Sequence, residues 1–323
     1  MFAAARSAGE SLTGSTKPRR RGGARNKSGD GFWAGLALPG VVWLCIFFLL
    51  PFYVILCVAL GTVDPIFQTP TPEWNPLSWN TSAFEFVFDG LFTHGAAFQT
   101  VFLRTLVYVV AATALSLLIA YPVAYYVARY GGRWKGLLLV GLIAPFFISY
   151  LMRMLAWINL LQDDGWVNDV LVWIGILDAP RNWLDGRASS VILGLVYGYV
   201  PFMILPLYAF LDRIDRSLLE AARDLGASPF QAFRLVTLPL SMPAILAGIV
   251  IIALPMFGDY YTPDLLSGAP QTSLIGNQIN LYIRGGQQIP VGAALVVVLM
   301  LFLVLLMGYY VYATARTQRR LGS

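Results

Sequence analysis

Charged residues, cysteine and histidine are all scarce in this sequence. Only 12% of its 323 residues are charged, about half of the roughly 25% found in an ordinary soluble domain. Cys45 and Cys57 lie in one apolar segment, about three helical turns apart, which is too far for a disulfide. With His94 as the single histidine, these residues cannot assemble a metal-ligand cluster. We therefore expect neither a disulfide framework nor a bound metal.

The sequence also lacks the short motifs of several enzyme classes. No G-x-x-x-x-G-K-[S/T] occurs, so the chain has no P-loop with which to hydrolyse ATP. The G-x-S-x-G nucleophile elbow and the H-E-x-x-H zinc motif are absent as well. We expect a chain with no catalytic residues, and nothing in it indicates a nucleic-acid partner.

Apolar residues, in contrast, are abundant. They make up 58% of the chain, and the mean hydropathy is +0.67, so much of the surface must face lipid or other apolar protein. A helix needs about 20 mainly apolar residues to cross the hydrocarbon. The segments that qualify are Trp33–Leu60, Thr100–Ala128, Gly136–Leu160, Ser189–Leu211, Ser241–Tyr261 and Val291–Ala315. The predicted fold is all-α and integral to the membrane, with six transmembrane helices. Kinks are expected at Pro145 in the third span and at Pro201 and Pro206 in the fourth.

Lysine and arginine are distributed unevenly around these spans. Of the 22 basic residues, 17 fall in segments that share the side of the N-terminus, whereas 11 of the 17 acids fall on or near the other side. Because cytoplasmic loops are enriched in lysine and arginine, we predict that both termini are cytoplasmic in a bacterial inner membrane. The sequence predicts that residues 1–31 form a disordered basic tail and that residues 32–323 form one membrane domain. In the long outer loop 161–188, the apolar stretch from Leu171 to Leu177 predicts a short interfacial helix.

The most informative segment is the loop between the fourth and fifth spans, residues 212–240. Its stretch from Leu218 to Leu225 consists of strong helix formers. Gly226 is placed to end that helix, Ser228 to cap the next one, and Pro229 to occupy the first helical position. Pro239 is expected to close the second helix before the fifth span. The loop is therefore predicted to form a helix-turn-helix elbow, which we call the elbow.

The spacing of small and apolar residues in the elbow is that of a known motif. The motif positions are occupied by Glu220, Ala221, Ala222, Gly226, Leu238 and Pro239. This pattern resembles the EAA loop of permease subunits of ATP-binding-cassette (ABC) importers, with Val236 in place of the usual isoleucine. From about Arg104 to the C-terminus, the chain further resembles the first permease subunits of spermidine/putrescine importers. The stretches that carry this second resemblance are Ile148–Ile176, Gly194–Tyr208, Leu218–Ser228 and Pro263–Ala269.

The resemblance implies the MetI-like fold of a type I ABC importer permease, together with the partners of such a permease. In that family the elbow is a coupling helix that sits in a groove of a separate ATPase. The resemblance implies the coupling residues Glu220, Ala221, Ala222, Asp224, Gly226, Leu238 and Pro239. It also implies a homologous second permease, two ATPase subunits that bind ATP and Mg, an extracytoplasmic solute-binding protein and surrounding membrane lipid. No cofactor is expected on this chain, and the implied cargo is a polyamine, with ferric iron or another amine compound as alternatives.

Ionisable groups at the ends of spans indicate where a solute could pass, because they are costly in lipid. The candidate substrate-path residues are Asp259, Tyr260, Tyr261, Asp264, Tyr197 and Tyr199. A carboxylate among aromatic rings suits a polyammonium ion through charge pairing and cation–π contact. The alternative is that Asp259 and Asp264 only cap helix ends, while the spacing of Gly194 and Gly198 favours close helix packing around the tyrosines. Arg153 is expected to pair with an outer-loop acid or to contact a docked binding protein.

A secondary transporter is the alternative mechanism. Such a protein would carry coupling-ion carboxylates near mid-span and often shows inverted repeats. Spans one to three and four to six show neither feature. The sequence therefore favours the ABC permease.

Overall fold

A computed structural model describes residues 27–67, 69–93, 96–285 and 288–321, with side chains described from residue 35 to residue 312 within those ranges. His94 and residues 1–26 of the predicted tail lie outside the described residues. The chain divides into two compact units, Met1–Phe52 and Tyr53–Ser323. Every candidate site residue belongs to the second unit.

Helices account for almost all of the regular structure. The α-helices of the described ranges are α1 (Lys27–Leu44), α2 (Leu50–Ala59), α3 (Ser82–Phe92), α4 (Ala97–Tyr130), α5 (Lys135–Ile143), α6 (Tyr150–Leu161), α7 (Trp166–Trp173), α8 (Ala188–Leu211), α9 (Arg216–Asp224), α10 (Pro229–Ala232), α11 (Leu238–Phe257), α12 (Tyr261–Leu266), α13 (Ile275–Arg284) and α14 (Ile289–Leu321). Two π-helical turns, Cys45–Leu49 and Phe233–Thr237, join α1 to α2 and α10 to α11. The strands β1 (Thr62–Val63) and β2 (Pro70–Thr71) pair antiparallel in the loop after α2.

Among the described residues, five continuous helical stretches are long and apolar enough to cross a membrane. They are Gly35–Ala59, Ala97–Tyr130, Ala188–Leu211, Pro229–Phe257 and Ile289–Tyr312. These confirm five of the six predicted spans, although the fifth begins well before the predicted Ser241 and ends at Phe257 rather than at Tyr261. In the fourth span, α8 runs through Pro201 and Pro206 as one helix.

The third predicted span, Gly136–Leu160, is not a single helix. After α5 a short 3₁₀ turn, Ala144–Phe147, leads into extended backbone at Ile148 and Ser149. The helical stretches on either side of this break meet at an angle of 89°. Pro145 contributes because its ring cannot continue a regular helix. The break makes Tyr150 the first residue of a new helix.

The interfacial helix of the following loop is also shifted from its predicted position. It is α7, Trp166–Trp173, rather than Leu171–Leu177. The chain turns at Gly175, which has a φ of +77°, a conformation that side chains with a Cβ rarely adopt. This glycine ends the helix before the predicted segment is complete.

The interior of the second unit is formed by α4, α8 and α11. The fully buried residues of α4 include Ala112, Ala120 and Ala124. Small side chains let helix backbones approach closely, which is how transmembrane helices gain packing contacts in lipid. Larger buried side chains, among them Leu195 of α8 and Met256 of α11, fill the remaining space. This packing fixes α11, which carries a candidate site before its first turn and another after its last.

Candidate functional sites at the two ends of α11

The elbow has the caps that its sequence predicts. At the start of α9, the side chain of Asp215 accepts a hydrogen bond from the Ser217 amide at 3.0 Å. Gly226 follows α9 with a φ of +88°. At the start of α10, Ser228 Oγ accepts from the Gln231 amide at 3.2 Å, while the Ser228 amide donates to Gln231 Oε1 at 2.8 Å. This reciprocal pair is a capping box, and the elbow prediction is confirmed.

Most of the predicted coupling residues face outward. Glu220, Ala221, Asp224, Gly226 and Pro239 are exposed, and Ala222 and Leu238 are half-buried. Large apolar side chains of the elbow are also exposed, among them Leu225 at 89% and Phe230 at 69%. Apolar side chains exposed among charged ones are typical of a protein-binding surface.

Pro239 does not end the second helix, contrary to the sequence-based expectation. The helical path continues from Pro229 through the π-helical turn Phe233–Thr237 into α11. Pro239 is the second residue of α11, which directly follows the π-helical turn. Such a turn departs from the regular i→i−4 hydrogen bonding that a proline cannot complete. The elbow is therefore continuous with the fifth span.

An aromatic contact joins the elbow to α4. The ring of Phe233 lies edge-on to two tyrosine rings of α4, with centroid distances of 5.7 Å to Tyr121 and 5.6 Å to Tyr125. Edge-to-face pairs of this kind stabilise beyond the area they bury. The hydroxyl groups of Tyr121 and Ser241 also share a hydrogen bond of 2.8 Å. These contacts connect the π-helical turn and the first turn of α11 to a neighbouring span.

Polar contacts hold the start of the elbow. Lys135 at the beginning of α5 forms an ion pair with Asp212. Arg129 in the last turn of α4 donates from Nη1 to the Ile214 carbonyl oxygen at 3.0 Å. The first residues of the elbow are thus attached to α4 and α5, whereas α9 projects from the body.

Asp259, two residues beyond α11, is the buried acid of the second site. It is 7% exposed. Its Oδ2 accepts hydrogen bonds from the hydroxyl groups of Tyr150 at 3.2 Å, Tyr199 at 3.3 Å and Thr262 at 2.6 Å. Its Oδ1 accepts from the Thr262 amide at 3.1 Å. The hydroxyl oxygens of Tyr150 and Thr262 are also in contact, and since each carries one hydrogen, two of the three contacts in their triangle with Oδ2 are hydrogen bonds at any time. We call Asp259, Tyr150, Tyr199 and Thr262 the Asp259 site.

Two glycines of α8 make this arrangement possible. A Cβ at Gly194 would lie 2.3 Å from Leu266 Cδ1 and 2.6 Å from Thr262 Cγ2. A Cβ at Gly198 would lie 3.3 Å from the ring of Tyr150. The spacing that predicted close packing is therefore confirmed, because α12 and Tyr150 lie against the glycine face of α8. This packing brings Thr262 and Tyr150 within hydrogen-bonding reach of Asp259.

A cavity of about 360 Å³ opens beside Asp259. It is lined by Tyr150, Tyr199, Tyr260 and Tyr261 together with backbone around Pro255 and Gly258. Tyr260 and Tyr261 stack on each other with their ring centroids 4.1 Å apart. The structure thus brings four of the predicted path residues together: Asp259, Tyr199, Tyr260 and Tyr261.

Two predicted path residues lie elsewhere. Asp264 accepts a hydrogen bond from Asn277 Nδ2 at 2.6 Å, and the same amide donates to the Tyr260 carbonyl oxygen at 2.9 Å. Asp264 therefore connects α12 to α13 through a side-chain contact, which is neither the predicted path role nor the helix cap of the alternative interpretation. Tyr197 packs against Phe146 and Trp157, with centroid distances of 6.0 and 5.3 Å, and is not part of the cavity lining.

Arg153 lies in this second aromatic group. Its guanidinium carbon is 4.3 Å from the centroid of Phe146, 5.4 Å from that of Tyr150 and 5.9 Å from that of Tyr197. Within the part of the chain that the structure describes, it has no acidic partner. The expectation that Arg153 pairs with an outer-loop acid of this chain is therefore wrong. The guanidinium of Arg153 contacts the faces of aromatic rings instead of a carboxylate.

Tyr150 and Thr262 were not predicted as site residues. Thr262 lies three residues after Asp259, a local spacing at which an aspartate commonly accepts from a backbone amide, so its contact could have been anticipated. Tyr150 is 109 residues from Asp259, and its position depends on the break before α6. No local pattern in the sequence indicates that contact.

Comparison with known proteins identifies the family. A family model described as "Binding-protein-dependent transport system inner membrane component" matches residues 116–319. The spermidine/putrescine transport system permease protein PotB of Haemophilus influenzae is 36% identical over 286 residues, covering 86% of this chain and 92% of the relative. PotB of Escherichia coli is 39% identical over 210 residues, covering 65% of this chain and 76% of the relative.

A solved structure shows the same fold. A chain of a bacterial alginate ABC transporter, crystallised with an alginate-bound periplasmic protein, superposes with a TM-score of 0.67 at 19% identity, covering 90% of this chain and 96% of that one. The predicted all-α fold of an ABC importer permease is confirmed, as is the resemblance drawn from the elbow. This chain belongs to the family of binding-protein-dependent transport system inner membrane components, as a multi-pass permease subunit of an ABC transporter.

Proposed function

We propose that this chain forms part of the path of a polyamine importer and that the Asp259 site contacts the ammonium groups of the solute. The observation that carries the proposal is the environment of Asp259. Its carboxylate is buried and accepts hydrogen bonds from hydroxyl and amide groups. Among the described residues no lysine or arginine lies within ion-pairing distance of it.

A buried carboxylate without a counter-charge is costly, and in a membrane protein such a group is typical of an ion or solute path. An ammonium ion in the neighbouring cavity would supply the missing charge. The tyrosine rings that line the cavity would add cation–π attraction. The names of the PotB relatives, which describe spermidine and putrescine transport, support the same class of solute.

The elbow supports the second half of the proposal, which concerns energy coupling. Its exposed motif residues and the exposed Leu225 and Phe230 offer a surface for a separate ATPase. We propose that two such ATPases bind ATP and Mg, that a homologous second permease completes the path, and that an extracytoplasmic binding protein delivers the solute. Because the elbow continues into α11, closure of the ATPase pair would move α11 and the Asp259 site with it.

We propose that both termini lie on the cytoplasmic side. In the described ranges the structure has up to six spans when the bent pair of helices is counted as one, and an even number of crossings would return the chain to the side on which it starts. The excess of lysine and arginine in the elbow and near both termini supports the cytoplasm as that side. In this orientation the elbow would face the side where ATP is available, and the Asp259 site would face the binding protein.

Uptake of labelled spermidine into proteoliposomes, with the complete transporter, its binding protein and ATP, tests the proposal. We expect Asp259→Asn to lower uptake at least tenfold while the complex still assembles, since a missing charge pair in a desolvated site costs more than about 1.4 kcal/mol. Asp89→Asn, which changes an exposed aspartate of α3, is the matched control. Unchanged uptake by the Asp259 variant would contradict the proposal.

The same proteoliposomes test the alternative solutes and the alternative mechanism. Ferric iron or another amine compound that stimulates ATP hydrolysis in place of spermidine would retain the ABC permease and change its cargo. Uptake driven by an ion gradient without ATP would indicate a secondary transporter. We expect uptake to require ATP.

A further inference from the structure

Arg153 presents a problem for a chain that carries polycations. A fixed positive charge repels such a solute, yet this one adjoins the proposed path. Its Nε and Nη1 atoms are buried and, in the described ranges, have no hydrogen-bond partner. Arg153 as a whole is half-buried, and two buried donor atoms without partners are unfavourable. The attraction of the surrounding rings compensates for that cost.

The surrounding rings form an aromatic cage, which we define as Phe146, Tyr150 and Tyr197. Each lies within 6 Å of the guanidinium carbon, the range in which cation–π attraction is significant. Such a cage is a general receptor for organic cations and is not specific to arginine. Ammonium groups of small amines bind to the same kind of aromatic surface.

The cage and the Asp259 site share one residue. Tyr150 turns its ring face toward Arg153 and donates its hydroxyl group to Asp259 Oδ2. Tyr197 of the cage and Tyr199 of the Asp259 site lie two residues apart on α8. The two positions are therefore adjacent, and one offers a negative charge while the other offers aromatic faces.

We propose that the aromatic cage is a second ammonium-binding position of the path, occupied by Arg153 until a polyamine displaces it. This inference rests on the proposed function. A polyamine carries several ammonium groups joined by short methylene chains, so one group can pair with Asp259 while the next approaches the cage. Repulsion between that ammonium and Arg153 then favours release of the guanidinium. A solute with a single charge does not reach both positions, so the pair of sites selects for polyamines.

Direct binding of labelled spermidine to the assembled permease and ATPase complex in lipid nanodiscs, without binding protein, tests this inference. Arg153→Gln removes the competing cation, and we expect spermidine to bind about tenfold more tightly, within the range of a desolvated cation–π contact. Arg153→Lys retains a cation and should bind as the unmodified complex does. Adding Phe146→Leu to Arg153→Gln should abolish most of the gain. Arg181→Gln, which removes an exposed arginine lying 5.5 Å from the Trp183 ring, is the matched control.

The outcomes separate this inference from the function on which it rests. If Asp259→Asn abolishes binding but Arg153→Gln leaves it unchanged or weaker, the cage is not an ammonium site and the inference is overturned while the function stands. If Arg153→Gln separates the two permeases, Arg153 serves an acid of the second permease, and the inference is again overturned. If spermidine binds to no variant and Asp259→Asn changes nothing, the proposed function fails and the inference with it.

Discussion

The elbow before α11 and the Asp259 site after it are held together by hydrogen bonds of very different range. In the elbow, Asp215 bonds to a residue two positions away and Ser228 to one three positions away. At the other end of α11, Asp259 bonds to Tyr199 and Tyr150, which are 60 and 109 residues away. The turn and the caps of the elbow are therefore defined by local backbone geometry, whereas the contacts of Asp259 with the two tyrosines are defined by how helices pack.

This difference determines how each region can fail. A substitution at the turn or the caps of the elbow acts through the backbone conformation of the residue that is changed or of its near neighbours. A substitution around Asp259 acts through the position of another helix. Variants of both kinds test this distinction between local and long-range contacts.

The largest effect is expected at Gly226. Its φ of +88° is unavailable to proline, whose ring fixes φ near about −65°. Gly226→Pro should therefore change the backbone conformation of the turn. We expect spermidine uptake and coupled ATP hydrolysis to fall to about a hundredth or less, while the protein still inserts in the membrane. Asparagine tolerates positive φ better than other residues with a Cβ, and nothing lies within 4 Å of the added carbon. Gly226→Asn should therefore retain most of the transport, and loss of transport in both variants would show that the turn requires glycine for another reason.

The next effect is expected at Gly194, far along the chain from Asp259. The added Cβ of Gly194→Ala would overlap Leu266, which is fully buried, and Thr262. We expect α12 to shift and spermidine uptake to fall about tenfold, since overpacking of a tight contact costs roughly 1–3 kcal/mol.

Gly198→Ala is the control for this variant, because its Cβ would lie 3.3 Å from the Tyr150 ring and needs only a small adjustment. Its uptake should fall about threefold or less. Equal effects of the two substitutions would mean that the positions of α12 and Tyr150 are not set by the glycine face of α8.

The same distinction explains how much could be predicted from the sequence. Gly226, Ser228 and Pro229 were assigned correctly because each signals its own backbone conformation to its immediate neighbours. Asp259 was identified because an acid at the end of a span is unusual, and Gly194 and Gly198 because their spacing favours close packing. The identity of the helix packed against those glycines is a property of the whole fold, so Tyr150 was missed.

The errors have related causes. Pro239 is expected to end a helix because proline interrupts helix interiors, but here the helical path continues through a π-helical turn directly before α11. A kink at Pro145 is predicted in the third span, but the structure divides that span into separate helical stretches that meet at 89°. A proline indicates where a helix can be interrupted, and it does not set the angle between the two parts. Arg153 was assigned an acidic partner because charge pairing is the usual solution, and its aromatic partners come from separate helices and a turn.

A smaller effect is expected where the two regions meet, at the contact of Phe233 with Tyr121 and Tyr125. Phe233→Leu removes two edge-to-face pairs, worth about 0.5–1.5 kcal/mol each. ATP hydrolysis should continue, but the amount of spermidine moved per ATP should fall about threefold. Tyr121→Phe retains the ring and loses the hydroxyl bonded to Ser241, so it should preserve more of the coupling. An unchanged ratio in Phe233→Leu would show that motion passes to the spans through α11 alone.

The smallest effect is expected at Ser228. Removal of a helix cap costs about 1 kcal/mol, which corresponds to roughly a fivefold change in a local opening equilibrium. In Ser228→Ala the Gln231 amide loses its bond to Ser228 Oγ, and its hydrogen should exchange with solvent about fivefold faster. Transport should remain above about half of the unmodified rate, because Gly226 and Pro229 still direct the turn. Ser217→Ala keeps the backbone amide that donates to Asp215 and serves as the control. If Ser228→Ala instead abolished transport as fully as Gly226→Pro, the capping box would hold the conformation that binds the ATPase, and the elbow would depend on its caps as strictly as on its turn.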